Sequence, residues 1–156
     1  MNNPFWEYSL SHYVREGVAD ACLALQDGHG LDVNMLLYGA WLGSMGQPLQ
    51  PGHLSALEEE IRQWRERVVL PLRTLRREWR DYPPVAELRE RLKEVELEAE
   101  HRQQDRMMQF YRSAPALPVA GGDTGANLRL VAEFSGNGEV ADWSASVERL
   151  RQLLAG

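Results

Sequence analysis

The chain has one cysteine, one lysine, three phenylalanines and no apolar run long enough to cross a bilayer, and these shortages exclude whole classes of protein. A lone thiol, Cys22, forms no intrachain disulfide. Nothing therefore calls for an oxidising compartment, and the expected location is the cytoplasm. Because Lys93 is the only lysine, sixteen of the 17 basic residues are arginine, a bias that fits a GC-rich bacterial genome. The most apolar stretch, residues 33–45, is interrupted by Asn34, Gly39, Gly43 and Ser44. It falls short of the roughly 20 residues a spanning helix needs, so no membrane span is expected. The opening Met1-Asn2-Asn3-Pro4-Phe5-Trp6-Glu7 has neither the basic region nor the apolar run of a secretory signal. A formal net charge of -6 disfavours nucleic acid as a partner, since displacing counterions from phosphates takes a net basic face. No segment alternates apolar and polar residues as a strand does, and no repeat is present.

What the sequence does contain is helical periodicity. With 156 residues, 44% hydrophobic and 26% charged, the composition is that of one globular domain. Asn3 followed by Pro4 reads as a cap and first position of a helix over residues 4–14. Val18, Ala21, Cys22 and Leu25 share one face of a second helix that stops at Gly28-His29-Gly30. Asp32 caps a third, which is apolar nearly all round and belongs at the centre of the core. Leu57, Ile61, Trp64 and Val68 follow a 3, 4 rhythm from Leu54, with Ser55 and Glu58 as a capping box. Pro71 predicts a kink before the helix continues through Leu72, Leu75 and Trp79 to Tyr82-Pro83-Pro84. The longest helix follows over residues 85–111, with Leu88, Leu92, Val95 and Ala99 at heptad-like spacing, and is expected to pair antiparallel with its predecessor.

Prolines and glycines predict a flexible loop over residues 113–125. A short helix over residues 127–134, a turn at Ser135-Gly136-Asn137-Gly138 and a last helix carrying Trp143, Val147, Leu150 and Leu154 complete the chain. The expected fold is all-α, an irregular helical bundle with a long antiparallel hairpin. It divides into a main bundle (residues 1–112), the loop, and C-terminal helices (residues 126–156) within a single domain.

Two polar constellations stand out. Arg73, Arg76, Arg77 and Arg80 are spaced to share one face of the kinked helix, where they can grip phosphates or an acidic partner. Glu87, Glu90 and Glu94, early in the next helix, are placed to neutralise them instead. The second is the turn over residues 26–34, in which Gln26, Asp27, Asp32 and Asn34 are the candidate binding residues. Its spacing lacks the alternate oxygen ligands and closing bidentate Glu of a calcium loop, and helix capping accounts for its composition.

Four catalytic patterns fail. Glu98-x-x-His101 resembles half of a di-iron site, but no other histidine has a Glu three residues before it, so no metal or cofactor is expected. Glu96 with Glu100, and Glu94 with Glu98, read as a solvated acidic face rather than acid and base pairs. Cys22 lies on an apolar stripe and reads as a buried structural thiol, and no serine stands in a Gly-x-Ser-x-Gly elbow.

Phe5-Trp6, the run Ala21-Cys22-Leu23-Ala24-Leu25-Gln26-Asp27, then Asp32-Val33-Asn34-Met35-Leu36-Leu37 and Trp41-Leu42-Gly43 resemble an uncharacterised family of small proteobacterial proteins, a domain of unknown function. Trp64, Val68-Val69, Pro71-Leu72-Arg73, Arg76-Arg77 and Glu96-Leu97-Glu98-Ala99-Glu100 extend the resemblance to about His101. It implies a bacterial helical protein and transfers no catalytic residue.

With no complete catalytic set and five Trp plus five Tyr, the leading expectation is a non-enzymatic helical module that binds a protein partner or itself. Two alternatives stay open: a small-molecule or enzymatic site at the turn over residues 26–34, and phosphate or nucleic-acid binding through the arginine face.

Overall fold

Asn3 opens the first helix, its Oδ1 accepting from the Trp6 N–H at 2.9 Å while Pro4 fills a position that needs no donor, and α1 runs Pro4–Tyr13. The computed structural model describes residues 2–135 and 140–155, and among them all regular structure is helical. The chain is all-α, as its periodicity predicts. Helix α2 (Val18–His29) ends where Gly30 takes a φ of 67°. There the Gly30 N–H reaches Gln26 O at 3.1 Å and the Leu31 N–H reaches Leu25 O at 3.3 Å, a left-handed glycine closure with Leu31 buried beside it. One residue later the Asp32 carboxylate accepts from the N–H groups of Asn34 (2.8 Å) and Met35 (3.3 Å) and starts α3 (Val33–Ser44). Such a cap contributes about 1 kcal/mol. Every residue from 34 to 42 is buried, so α3 is the central helix its composition predicts.

Helix α4 (Pro51–Trp64) begins four residues before the expected capping box. Pro51 presets the first turn, the Leu54 N–H already bonds Gln50 O at 3.0 Å, and Ser55 is an exposed residue inside the helix. The anticipated break at Pro71 takes the form of a π-helical turn, Arg65–Val69, in which the Leu70 N–H reaches back five residues to Arg65 O. Widening one turn lets the chain resume helix despite the donor missing at Pro71. Helix α5 (Leu70–Glu78) follows, then a short 3-10 turn at Pro83–Val85 and the 28-residue α6 (Ala86–Ser113).

Residues 114–123 carry no helix, although the Gly122 N–H bonds Gly46 O at 2.8 Å and Leu117 is buried. Asp123, which the periodicity does not single out, accepts from Gly125 N (3.1 Å) and Ala126 N (3.3 Å) and starts α7 (Thr124–Ser135) three residues earlier than expected. The turn predicted at residues 135–138 lies, beyond Ser135, outside the described residues. Trp143, Val147, Leu150 and Leu154 of α8 (Val140–Leu154) are all buried, as their spacing predicts.

The helices group into two compact units, one of Met1–Leu54 with Pro115–Gly156 and one of Ser55–Ala114. In the first, α3 packs along α7, and α8 packs along both α2 and α7. Phe5, Tyr38 and Trp41 form its aromatic centre, with Phe5 edge-on to Tyr38 at 5.5 Å. Buried Asn127 joins its two chain segments, accepting from Leu49 N at 2.8 Å and donating to Gly39 O and Gln47 O at 3.0 Å each.

Candidate functional site

In the second unit the α5–α6 hairpin is registered by charge. The Glu96 carboxylate, only 6% exposed, is held by both Nε and Nη2 of Arg76, the latter at 3.3 Å, and lies 3.5 Å from Arg73 Nε. Arg73 also donates to Glu100 at 3.3 Å, and Arg89 Nε donates to the Arg76 carbonyl at 2.9 Å. Partner numbers fall along α6 as they rise along α5, so the helices run antiparallel, as expected. Trp64 Nε1 adds a bond to Ala99 O at 2.9 Å, with the Arg106 guanidinium 5.0 Å above the indole.

These contacts divide the arginine stripe. Arg73 and Arg76 are half-buried against carboxylates, whereas Arg77 and Arg80 are exposed. The sequence spacing points to Glu87, Glu90 and Glu94 as the neutralising acids; the structure corrects them to Glu96 and Glu100. Glu96 accordingly belongs to the helix seam rather than to a solvated face. A carboxylate so enclosed needs bidentate partners, which the planar guanidinium supplies.

The flank of α6 away from this charge row differs in character. Each residue advances a helix by about 100°, so Leu88 and Val95 project roughly a quarter-turn from Arg89 and Glu96. They are 46% and 49% exposed, and of the four residues at heptad-like spacing from Leu88 to Ala99 only Ala99 is buried. Leu70 and Tyr82 are also open to solvent, and Leu72, Leu75, Trp79, Val85 and Leu92 are only partly covered. No residue from 70 to 95 is buried. A helix normally conceals its apolar stripe, and two helices alone can cover only the side they turn to each other.

Elsewhere the candidate residues have structural employment. In the turn over residues 26–34, Gly30 closes α2 and Asp32 caps α3; Asp27 is exposed, Gln26 half-buried and Asn34 buried. Glu98 accepts from Arg102 at 3.1 Å and His101 lies 3.7 Å from Asp105, each engaging the next turn of its own helix. Among the described residues no group of three or more His, Cys, Asp or Glu is placed to hold a metal ion. One pair the sequence did not reveal is Tyr38 with His53, whose OH and Nε2 share a 2.7 Å hydrogen bond; burial lowers the His53 pKa. Cys22 is fully buried and its thiol is pushed up to about 12. An aromatic disulfide reagent at pH 8 should therefore label the native protein about a thousandfold more slowly than the urea-unfolded chain, in which the thiol regains an ordinary pKa near 8.5. Equal labelling rates would contradict the burial.

A family profile described as "Protein of unknown function (DUF2390)" matches residues 4–107. The chain belongs to this family. The DUF2390 match takes in α1 through α5 and most of α6, and with them the span of the resemblance read from Phe5 to His101. Helices α7 and α8 lie beyond the matched residues. No curated protein and no solved structure matches the chain. Among the described residues no helix is long and apolar enough to cross a membrane.

Proposed function

We propose that this DUF2390 protein is a cytoplasmic, non-enzymatic interaction module of bacterial cells that docks a helical partner on its α5–α6 hairpin. The reading is carried by one observation: over residues 70–95 the hairpin holds Leu72, Leu75, Trp79, Leu88, Leu92 and Val95, and none is buried. Leaving such a strip in water forfeits roughly 25 cal/mol for each Å² of apolar surface that a partner would cover. Incompletely buried apolar residues flanked by exposed charges are the usual composition of a protein-binding surface. Trp79 and Tyr82 add aromatic side chains of the kind that anchor interfaces. The partly exposed seam is held in shape by the Arg73, Arg76 and Glu96 cluster, which fixes the hairpin before binding and so lowers the ordering cost.

A photo-crosslinking side chain introduced at position 88 or 95 in living cells tests the proposal. Either site should give discrete higher-mass adducts that the same group at exposed Gln63 or Gln109 does not give. Adducts absent from both hairpin positions, with the protein folded and expressed, would overturn it.

A further inference from the structure

We infer that the hairpin binds a second copy of this chain, the two α6 helices meeting antiparallel across their Leu88–Val95 faces. The inference rests on the reading above that the hairpin is an interaction surface, and the charge order beside that face selects the occupant. Glu87, Arg91, Glu98 and Arg102 follow Leu88 and Val95 around the helix, on the side turned away from the Arg73, Arg76 and Glu96 row. All four are exposed, and Glu98 and Arg102 already form an ion pair at 3.1 Å.

Their spacing is 4, 7, 4 and their signs are minus, plus, minus, plus. The set is symmetric about the point between Glu94 and Val95, and reversing its direction turns every charge into its opposite. In an antiparallel pair related by a two-fold axis, each flank meets its own copy running the other way. Arg91 of one copy then stands opposite Glu98 of the other, and Glu87 opposite Arg102, each pairing occurring twice. Val95 falls beside the axis and meets Val95, while Leu88 packs on the methylene stem of Arg102. Of the other charges toward this side, Glu94 sits about 20° further round the helix than Glu87, and Asp105 lies past the end of the paired length. A parallel pair brings this flank against the opposite one, which α5 already occupies. Self-complementarity of a single patch is what a two-fold interface requires.

The paired length, residues 87–102, is about 24 Å of helix, a modest contact that places the expected Kd in the micromolar range. Sedimentation of the purified full chain over about 1–300 µM should show a reversible monomer–dimer equilibrium. R91E alone and E98R alone should each weaken it by about tenfold or more, because two attractive pairs become repulsive. The double variant R91E/E98R should recover to within about threefold of the original. V95E should leave a folded monomer. A chain monomeric at the highest concentration overturns the inference, as does a dimer indifferent to the single reversals or one that the double reversal fails to restore. If the purified chain is monomeric while positions 88 and 95 still crosslink in cells, the occupant is a different protein and the interaction reading survives. Loss of both signals removes both.

Discussion

Replacing Asn127 with alanine should lower the unfolding free energy of the first unit by about 3–5 kcal/mol, several times the effect of an ordinary surface substitution. The side chain is 2% exposed and makes three hydrogen bonds, accepting from Leu49 N and donating to Gly39 O and Gln47 O. Alanine cannot replace any of them. Gly39 lies within α3, where its carbonyl can keep a helical partner, so the cost concentrates on the Leu49 N–H and the Gln47 carbonyl. Each such buried group left without a partner costs about 1–3 kcal/mol. Asn127→Asp separates this account from simple loss of packing. The carboxylate retains the acceptor for Leu49 N but faces two carbonyl oxygens, so its folded pKa rises above the unfolded value near 3.9. Its destabilisation should therefore be greater at pH 7, where the group is charged, than near pH 4. Urea denaturation at the two pH values measures both effects. An alanine variant within 1 kcal/mol of the original, or an Asp variant insensitive to pH, would show that Asn127 does not hold the two segments together.

That Asn127 went unread in the sequence has a physical reason. Its partners are backbone groups 78 to 88 residues away, and no periodicity marks a side chain that serves distant main-chain atoms of α3 and the loop after it. Local signals were legible where the chemistry is local: Asn3, Gly30 and Asp32 bond their own neighbours, and the buried row of α8 follows helical spacing. The start of α4 was misplaced because two signals competed, and the proline at Pro51 outweighed the serine at Ser55. Heptad spacing identifies the apolar row from Leu88 to Ala99 without saying how much of it a neighbouring helix will cover. Glu96 was misassigned to solvent for a related reason. Its partners Arg73 and Arg76 stand on a different helix, Arg76 being 20 positions away, so a charge in the seam and a charge in water look alike in one dimension.

The same physics explains why the candidate site lies where it does. The arginine face attracts attention for its charge, but half of that charge is spent on holding α5 to α6. What the ion pairs leave behind is a hairpin on which Leu72, Leu75, Trp79, Leu88, Leu92 and Val95 all fall short of burial. Ion pairs in a partly buried seam contribute modestly to stability, because desolvation offsets much of the attraction; their stronger effect is to fix one register among several. In the proposed dimer the Glu87, Arg91, Glu98 and Arg102 pattern depends on that fixed register, since a one-residue slip of α6 would rotate the flank by about 100°.

Gly43→Ala should destabilise the first unit by about 2–4 kcal/mol, against the general rule that alanine in place of a helical glycine is favourable by up to about 1 kcal/mol. A Cβ at this position would lie 2.5 Å from Thr124 Oγ1, 2.6 Å from Thr124 Cα and 2.7 Å from Thr124 N. The last two are backbone atoms at the start of α7, so rotation of a side chain cannot relieve the overlap; α7 itself must move. Moving it also pulls Asn127, one turn further along, away from Gly39, whose own Cβ would sit in ordinary contact at 3.4 Å from Asn127 O. Truncating the Thr124 side chain should consequently fail as a remedy, and Gly43→Ala with Thr124→Ala should recover little of the loss. Gly28 provides the opposing case: it is helical, a Cβ there would have no neighbour within 4 Å, and as alanine it should gain up to about 1 kcal/mol. Opposite signs at the two glycines in parallel urea titrations are the expected result. If Gly43→Ala instead stabilises the protein as Gly28→Ala does, α3 and α7 are not packed backbone to backbone, and the joining of the C-terminal helices to the core must rest on other contacts.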